Sequence, residues 1–310
     1  MSLATAVADL TSTFTGELLK PGDTGYDEAR RVHNGLIDKR PALIARCRGT
    51  ADVADAVKLA RTLNLEVAIR GGGHNVAGRA TIDNGLMIDL APMKGIHVDP
   101  RAKLARAQGG VLWKEYNRET QVHGLATTGG VVGTTGIAGL TLGGGLGWLM
   151  PKYGLALDHL RSVELVMADG SVRRASAEEH ADLFWAVRGG GGNFGIATSF
   201  EFETHPVGPT ITGGLVVHPL QRGAEMLRFY REQCAKAPDD LMLVAGLLTA
   251  PDASGAKLTA IVAAHAGSLA AGEAAVQPIK AFVPPAMDQM GPISYCALNG
   301  LLDASLPRGA

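Results

Sequence analysis

The chain has 310 residues, of which 46% are hydrophobic and 19% charged, and its net charge is −1. This composition is typical of a globular protein of about two domains and excludes a disordered or fibrous chain. The absence of a basic block argues against nucleic-acid binding, and no apolar run approaches the roughly 18 residues of a membrane span. Three distant cysteines exclude a disulfide framework, and nine histidines without metal-ligand spacing predict no metal. Since no secretory signal opens the chain, we expect a cytoplasmic protein.

The first part of the chain predicts a β-α-β unit. Thr50–Arg61 has apolar residues at helical spacing, with Thr50 as its N-cap, between short strands at Ala42–Arg46 and Glu66–Ile69. Further elements are predicted as strands at Leu86–Leu90, Gly95–Val98 and Lys103–Ala107 and a helix at Val111–Thr120 whose buried side is Val111, Leu112 and Tyr116.

The loop Arg70–Gly78 directly follows the second of these strands and contains four glycines and one histidine, His74. Glycine accepts positive φ and lets a ligand approach the backbone, and successive N–H groups in such a turn bind anions. The loop therefore predicts a diphosphate cradle with a reactive imidazole beside it. A plain glycine turn with a surface histidine is the alternative.

Two more glycine clusters follow. Gly129–Gly147 mixes glycine with Val, Ile, Leu and Thr, which is unlike both a core strand and a polar linker. Arg188–Ile196 comes after a predicted hairpin (Leu160–Ala168 and Ser171–Ala175) and a helix at Glu179–Val187. Three clusters at the ends of regular elements suggest one extended ligand of the size of FAD.

The character of the sequence changes around Pro206–Pro209, after a strand at Thr198–Thr204. We place the domain boundary there and predict domains at residues 1–207 and 208–310. Antiparallel strands with helices on one face suit the second domain. Its predicted elements are strands at Gly214–Val217, Leu241–Leu248 and Leu258–Ala264 and helices at Arg222–Cys234 and Ala270–Phe282.

Four motifs in order carry a resemblance to a known family: Arg70–His74, Gly133–Gly147, Lys152–Ala156 and Gly191–Ile196. They resemble the FAD-linked oxidases, in particular the berberine-bridge-enzyme-like branch of the vanillyl-alcohol-oxidase superfamily. The resemblance is close over residues 35–207 and loose beyond. It implies an α+β fold, with a two-subdomain PCMH-type FAD-binding domain followed by a substrate domain with an antiparallel sheet and helices.

The resemblance also implies the flavin attachment. The family histidine at the position of His74 bonds covalently to the C8α methyl of FAD, and a neutral imidazole is the nucleophile that adds there. Many members add a second bond through a cysteine where this chain has Val132, so we expect a single bond. The cofactor-binding residues predicted are Arg70, Gly71, Gly72, Gly73, His74, Asn75, Gly78, Gly130, Val131, Val132, Thr134, Gly136, Ile137, Gly139, Gly144, Leu146, Asn193, Gly195 and Ile196.

The function implied is an FAD-dependent oxidoreductase that moves a hydride from a small alcohol, sugar or amine to flavin N5, with dioxygen or another acceptor as the final partner. The alternatives are a flavin-binding fragment without turnover and a reductase resembling UDP-N-acetylenolpyruvoylglucosamine reductase. The family chain normally continues past this point, so we expect an incomplete substrate domain with an unpaired sheet edge. No catalytic base is assigned, and the oligomeric state stays open.

Several other side chains keep two interpretations. Tyr153 fits either packing or a place near the flavin, and Asp158 fits either a helix cap or a cofactor contact. The two histidines near turns, His97 and His123, are expected to be structural. For His218 and His265, strand alternation allows either a pocket-facing or a solvent-facing side chain.

Overall fold

A computed structural model describes residues 3–250 and 254–309 of the chain. Met1, Ser2 and Ala310, at the outer ends of the two predicted domains, lie outside the described residues, as do residues 251–253. Within the described ranges the fold is α+β, as predicted, and is built from three main sheets and one short strand pair. No helix among those residues is both long and apolar enough to cross a bilayer.

The first sheet has the order β1-β2-β4-β3, in which β2, β4 and β3 run parallel and β1 is antiparallel. Its central strands are apolar without alternation because both faces are covered. The predicted β-α-β unit is present, with β4 inserted between its two strands. The elements are α1 (Leu3–Thr11), β1 (Glu17–Leu19), α2 (Tyr26–Ala29), β2 (Leu43–Arg46), α3 (Thr50–Leu63), β3 (Val67–Arg70) and β4 (Leu86–Asp89).

The predicted N-cap of α3 is wrong by one residue. Gly49 occupies the cap position, and the helix begins at Thr50. The Thr50 hydroxyl is unavailable as a cap because it donates to Glu164 Oε1 of the second sheet at 2.8 Å. A long-range hydrogen bond has thus replaced the local one.

The second sheet is antiparallel, with the order β5-β6-β10-β8-β9. It carries the largest buried cluster, which includes Trp113, Tyr116 and Phe202. Its elements are β5 (Ile96–Asp99), β6 (Leu104–Gln108), α4 (Trp113–Gln121), α5 (Ile137–Leu142), α6 (Met150–Tyr153), β8 (Leu160–Val166), β9 (Val172–Ser176), α7 (Ala181–Val187) and β10 (Ile196–Glu203), and a separate strand pair joins β7 (Leu125–Ala126) to β11 (His205–Pro206).

The buried side predicted for α4 is only partly right. Val111 precedes the helix, and Leu112 is its half-buried N-cap residue. The Leu112 N–H donates to Glu115 Oε2 at 2.8 Å, which fixes the helix start two residues later than expected. Tyr116 is fully buried as predicted, and its neighbour in the core is Trp113.

The third sheet is antiparallel, with the order β13-β14-β12-β15, and β16 also pairs with β12. Helices α8 and α9 cover its back face, whereas its front face packs on Trp148, Leu149 and Tyr295 beside the second glycine cluster. Its elements are β12 (Thr210–Pro219), α8 (Gly223–Cys234), β13 (Leu241–Thr249), β14 (Lys257–His265), α9 (Leu269–Ala281), β15 (Met287–Asp288), β16 (Gly291–Ser294) and α10 (Tyr295–Asn299).

Strand β12 is much longer than the predicted Gly214–Val217. Gly214 has φ +127°, and a Cβ there would lie 2.0 Å from the Gln289 carbonyl oxygen. The glycine therefore lets the connection between β15 and β16 approach the middle of the strand. The boundary predicted at residues 207 and 208 falls between β11 and β12 and stays a prediction.

Candidate functional site

Three adjoining cavities are lined by the glycine clusters. The histidine cavity (280 Å³) contains His33, His74 and Thr134, the middle cavity (310 Å³) contains Asn75 and Gly139, and the distal cavity (540 Å³) runs along Gly189–Asn193. The first two share Gly71, Gly72 and His74, and the last two share Gly71, Asn75 and Gly139. They form one crevice, which brings together residues about 125 positions apart in the sequence.

The first glycine loop presents a row of unused donors to this crevice. The backbone N–H groups of residues 71–75 find no hydrogen-bond partner among the described residues, whereas each residue of the strand before them pairs with β4 along one edge. Gly73 has φ +72°. Successive N–H groups on such a turn make an anion-binding concavity, as the sequence predicts.

A close backbone contact joins the first and second glycine clusters. A Cβ on Gly72 would lie 2.2 Å from the Gly136 nitrogen, and one on Gly136 would lie 2.4 Å from the Gly72 nitrogen. Only glycine at both positions allows the first and second clusters to touch. Gly136 is also held by a strand-like bridge to Leu112.

Arg70 lies at the base of the loop, and its guanidinium forms hydrogen bonds within the protein. Its guanidinium donates from Nε and Nη2 to both carboxylate oxygens of Asp89, at 2.9 and 2.7 Å, and from Nη1 to the carbonyl oxygens of Ala29 and Arg31. Asp89 is fully buried. The predicted cofactor contact of Arg70 remains untested, and its visible role is to anchor the loop.

His74 stands where the histidine and middle cavities meet. Its Nε2 lies 2.9 Å from Thr134 Oγ1, its Nδ1 lies 3.4 Å from Thr135 Oγ1, and its ring stacks on that of His33 with 4.0 Å between centroids. Burial, and to a lesser degree the neighbouring His33, lower the pKa of His74 to about 4, against the opposing charge of Asp303. The imidazole is therefore neutral at physiological pH, the form that acts as a nucleophile.

Some of the predicted residues in the second glycine cluster line the crevice, whereas others lie outside it. Thr134, Gly136 and Gly139 line the cavities, and the site around a Cβ on Gly139 is open space to 4 Å. The other predicted residues of the cluster lie outside these three cavities: Gly130, Val131, Val132, Ile137, Gly144 and Leu146. Ile137 is fully buried in the hydrophobic cluster of the second sheet, and the Gly130 carbonyl accepts from Asn299 Nδ2 at 2.9 Å. Their cofactor contacts remain predictions.

The first and third loops supply the remaining predicted residues. Asn193, Gly195 and Ile196 line the distal cavity. Gly195 has φ +153°, and a Cβ there would lie 3.0 Å from the Val166 carbonyl oxygen, so both its backbone conformation and its surroundings favour glycine. Gly78 lines none of the three cavities: it closes the turn by donating its N–H to the Asn75 carbonyl, and a Cβ there would lie 2.7 Å from Ile37.

Sequence reasoning missed two residues at the histidine cavity. His33 lies 41 positions before His74, and Asp303 accepts from the Gly133 N–H at 2.7 Å across 170 positions. Neither belongs to a motif or a periodic pattern. Only the folded chain brings them to the site.

A second imidazole cluster lies under α6, away from these cavities. Tyr153 stacks on His205 at 4.1 Å, His205 Nε2 lies 3.0 Å from His159 Nδ1, and His159 Nε2 lies 3.2 Å from Thr128 Oγ1. Burial, with a smaller effect of His205, lowers the pKa of His159 to about 4. This arrangement supports the packing interpretation of Tyr153.

The remaining candidates now have definite places. Asp158 caps the short 3-10 helix by accepting from the Leu155 N–H at 2.8 Å. His218 and His265 face neither pocket nor solvent: both are buried on the back face of the third sheet, beneath α9, so both alternatives were wrong. His97 and His123 are exposed. The described residues include no group of three metal-binding side chains.

The crevice fits a dinucleotide such as FAD. The loop supplies free N–H groups for a diphosphate, Gly139, Gly191 and Gly192 leave space where other residues would project a Cβ, and a neutral imidazole stands at one end. FAD bound there would be held by the loop at residues 71–75 and by the third glycine cluster.

Comparison with known proteins agrees with this fit. Residues 41–176 match the family described as an FAD binding domain. The chain is 41% identical over 201 residues to (R)-6-hydroxynicotine oxidase of Paenarthrobacter nicotinovorans, a match that covers 65% of this chain and 44% of that protein. The matched part of the chain therefore spans less than half the length of this relative.

Solved structures extend the likeness over the whole fold. The crystal structure of 6-hydroxy-D-nicotine oxidase from Arthrobacter nicotinovorans superposes with a TM-score of 0.88 at 32% identity, covering 95% of this chain and 65% of that one. Physcomitrella patens BBE-like 1 gives a TM-score of 0.85 at 24% identity over all of this chain and 66% of that one, which supports the fold alone.

Proposed function

We propose that the chain is an FAD-dependent oxidoreductase of the FAD-linked oxidases, in the berberine-bridge-enzyme-like branch; its FAD binding domain and its likeness to the 6-hydroxynicotine oxidases support this proposal. The reaction moves a hydride from a C–H bond beside oxygen or nitrogen in a small alcohol, sugar or amine to flavin N5, and dioxygen or another acceptor then takes the electrons. The likeness to (R)-6-hydroxynicotine oxidase makes a cyclic amine the first substrate to test.

One observation carries the proposal: free backbone donors and a neutral imidazole share one glycine-lined crevice. The N–H groups of residues 71–75 bind the cofactor diphosphate, and the close contact of Gly72 with Gly136 holds them in place. Gly139 lets a flat ring approach the backbone of α5.

We further propose that His74 anchors the flavin covalently and alone, since Val132 provides no thiol. Forming the bond joins an imidazole nitrogen to the C8α methyl carbon, while one methyl C–H and the imidazole N–H are lost. The two protons and two electrons released would be taken up through the bound flavin by dioxygen, which would become hydrogen peroxide. Burial keeps His74 unprotonated for this step.

Replacing His74 with alanine is expected to abolish covalent attachment. After acid precipitation, the wild-type pellet is expected to be yellow and fluorescent, whereas the flavin of His74→Ala remains in the supernatant. The measurement is flavin fluorescence of the protein band on a denaturing gel. His123→Ala, at an exposed site, is the matched control and is expected to behave as wild type. Wild-type protein with all its flavin in the supernatant would refute the anchor.

Anaerobic mixing separates the oxidoreductase from its rivals. Bleaching of the flavin absorbance by a cyclic amine, alcohol or sugar supports the proposed reaction. Bleaching by NADPH alone, with non-covalent FAD, favours the reductase alternative. If no compound in a broad panel bleaches a flavin that is demonstrably bound, the chain is a flavin-binding fragment without turnover.

A further inference from the structure

The imidazole of His74 is held on one face by a second imidazole. The ring of His33 stacks on it with 4.0 Å between centroids and an interplanar angle of 17°. The lone pair of an imidazole nitrogen lies in the plane of its ring, so a partner on the face fixes the direction of the lone pair without covering it. Thr134 and Thr135 contact the ring at its nitrogen-bearing edge.

The backbone of His33 is tied to the same loop as its partner. Its N–H donates to the Gly73 carbonyl at 3.0 Å, directly before His74, and its carbonyl accepts from the Gly309 N–H at 2.8 Å. Two residues earlier, the Arg31 carbonyl accepts from Arg70 Nη1 at 3.0 Å. The two rings therefore share one rigid frame, and their stacking does not depend on a flexible surface segment.

We propose that His33 is a positioning residue for flavin attachment, which aligns the His74 imidazole with the C8α carbon by stacking on its face. This inference rests on the proposed covalent anchor. Reactions between held groups depend steeply on alignment, and a displacement of about 1 Å can cost roughly 100-fold in rate. Without the stack, the His74 ring turns about its side-chain bonds and its lone pair loses a fixed direction.

The same stack acts on the charge of His74. His33 disfavours a proton on His74 and Asp303 favours one, and the pKa of His74 stays low because burial dominates. The other charged groups facing this cavity all carry positive charge and come from four separate segments: Arg31, Arg70, Lys94 and Arg308. Removing the His33 imidazole removes one obstacle to protonation, so the reactive form of His74 should be lost at a higher pH than in wild type.

The test compares His33→Ala with His33→Phe, which keeps a stacking ring but no ring nitrogen. Apoprotein of each full chain is mixed with FAD and oxygen, and covalent flavin is followed by gel fluorescence at pH 5 and pH 8. We expect His33→Ala to be slowed about tenfold or more and His33→Phe by less than about threefold at pH 8. The ratio of the attachment rate at pH 5 to that at pH 8 is expected to be lower in His33→Phe than in wild type.

Binding and folding are measured separately from attachment. Each His33 variant is also combined with His74→Ala, which removes the attachment site. Circular dichroism and FAD binding of these double variants show whether the folded site is intact. Equal rates and equal pH profiles in all three proteins would overturn the role of His33. Loss of attachment in both variants, with FAD still bound, would overturn the stacking argument. No covalent flavin in wild type would instead overturn the anchor, and this inference with it.

Discussion

His74 and His159 are chemically alike and differ in what surrounds them. Burial lowers the pKa of both to about 4. His74 borders the histidine cavity, whereas His159 lies away from the three cavities, between Thr128 and His205. The lowered pKa of His74 therefore suits the proposed flavin attachment, whereas that of His159 is a cost in stability.

Replacing His159 with asparagine should make the protein less sensitive to acid. Between pH 6.5 and 4 the unfolded chain binds a proton at His159 that the folded chain does not, so the free energy of unfolding falls as the pH is lowered through this window. We expect His159→Asn to reduce the loss between pH 7 and pH 5 by about 2 kcal/mol. Urea unfolding at the two pH values measures it.

The exposed His123 provides the control for this prediction. His123→Asn is expected to leave the pH dependence unchanged. If His159→Asn lost as much stability on acidification as wild type does, the assignment of acid sensitivity to His159 would be contradicted.

At the scale of elements, the crevice depends on glycines of two kinds. Gly72 and Gly136 allow two backbones to touch, and Gly139 keeps the exposed side of α5 free of side chains. The first kind is a requirement of folding and the second a requirement of ligand binding. Alanine substitutions should separate them.

We expect Gly72→Ala to lower the free energy of unfolding by about 1–3 kcal/mol, because its methyl group would lie 2.2 Å from the Gly136 nitrogen. Gly139→Ala should leave stability unchanged or raise it by about 0.5–1 kcal/mol, since alanine suits a helix better than glycine. The same methyl group enters the crevice and should weaken FAD binding. Urea unfolding of the apoprotein and titration with FAD check both. Tight FAD binding by Gly139→Ala would contradict the proposed path of the cofactor.

At the scale of the whole molecule, distant segments close the site. Asn299 donates to the Gly130 carbonyl and Asp303 accepts from the Gly133 N–H, so the last described turns are bonded directly to the second glycine cluster. The third sheet keeps one long open edge: among the described strands, β13 pairs only with β14.

Strand β13 has neither a charge nor a proline to protect that edge, and Leu247 on it is 63% exposed. We expect Leu247→Lys to reduce concentration-dependent aggregation on warming without lowering the unfolding temperature, because a charged edge opposes strand pairing between molecules. Light scattering during a thermal ramp measures it. Leu227→Lys, on an exposed position of α8, is the control and should change aggregation less.

Much of the fold followed from local patterns. The β-α-β unit, the hairpin around Asp169 and Gly170, and the antiparallel third sheet were predicted because hydrophobic spacing and turn residues are local signals. The errors arose where a distant contact overrode a local preference. Thr50 binds Glu164 in place of capping its helix, and α9 buries His218 and His265 on a face that strand alternation alone could not assign.

The sequence by itself determined which chemical groups are present: glycine loops whose backbone N–H groups can face a ligand, a histidine within the first loop, and valine in place of cysteine at position 132. These are properties of residue type and neighbouring position, and the chain carries them before it folds. Only the tertiary structure decided that His33 stacks on His74, that the backbones of Gly72 and Gly136 touch, and that Arg70 forms an ion pair with Asp89. Such contacts join positions 19 to 64 residues apart, and packing of whole elements sets their geometry.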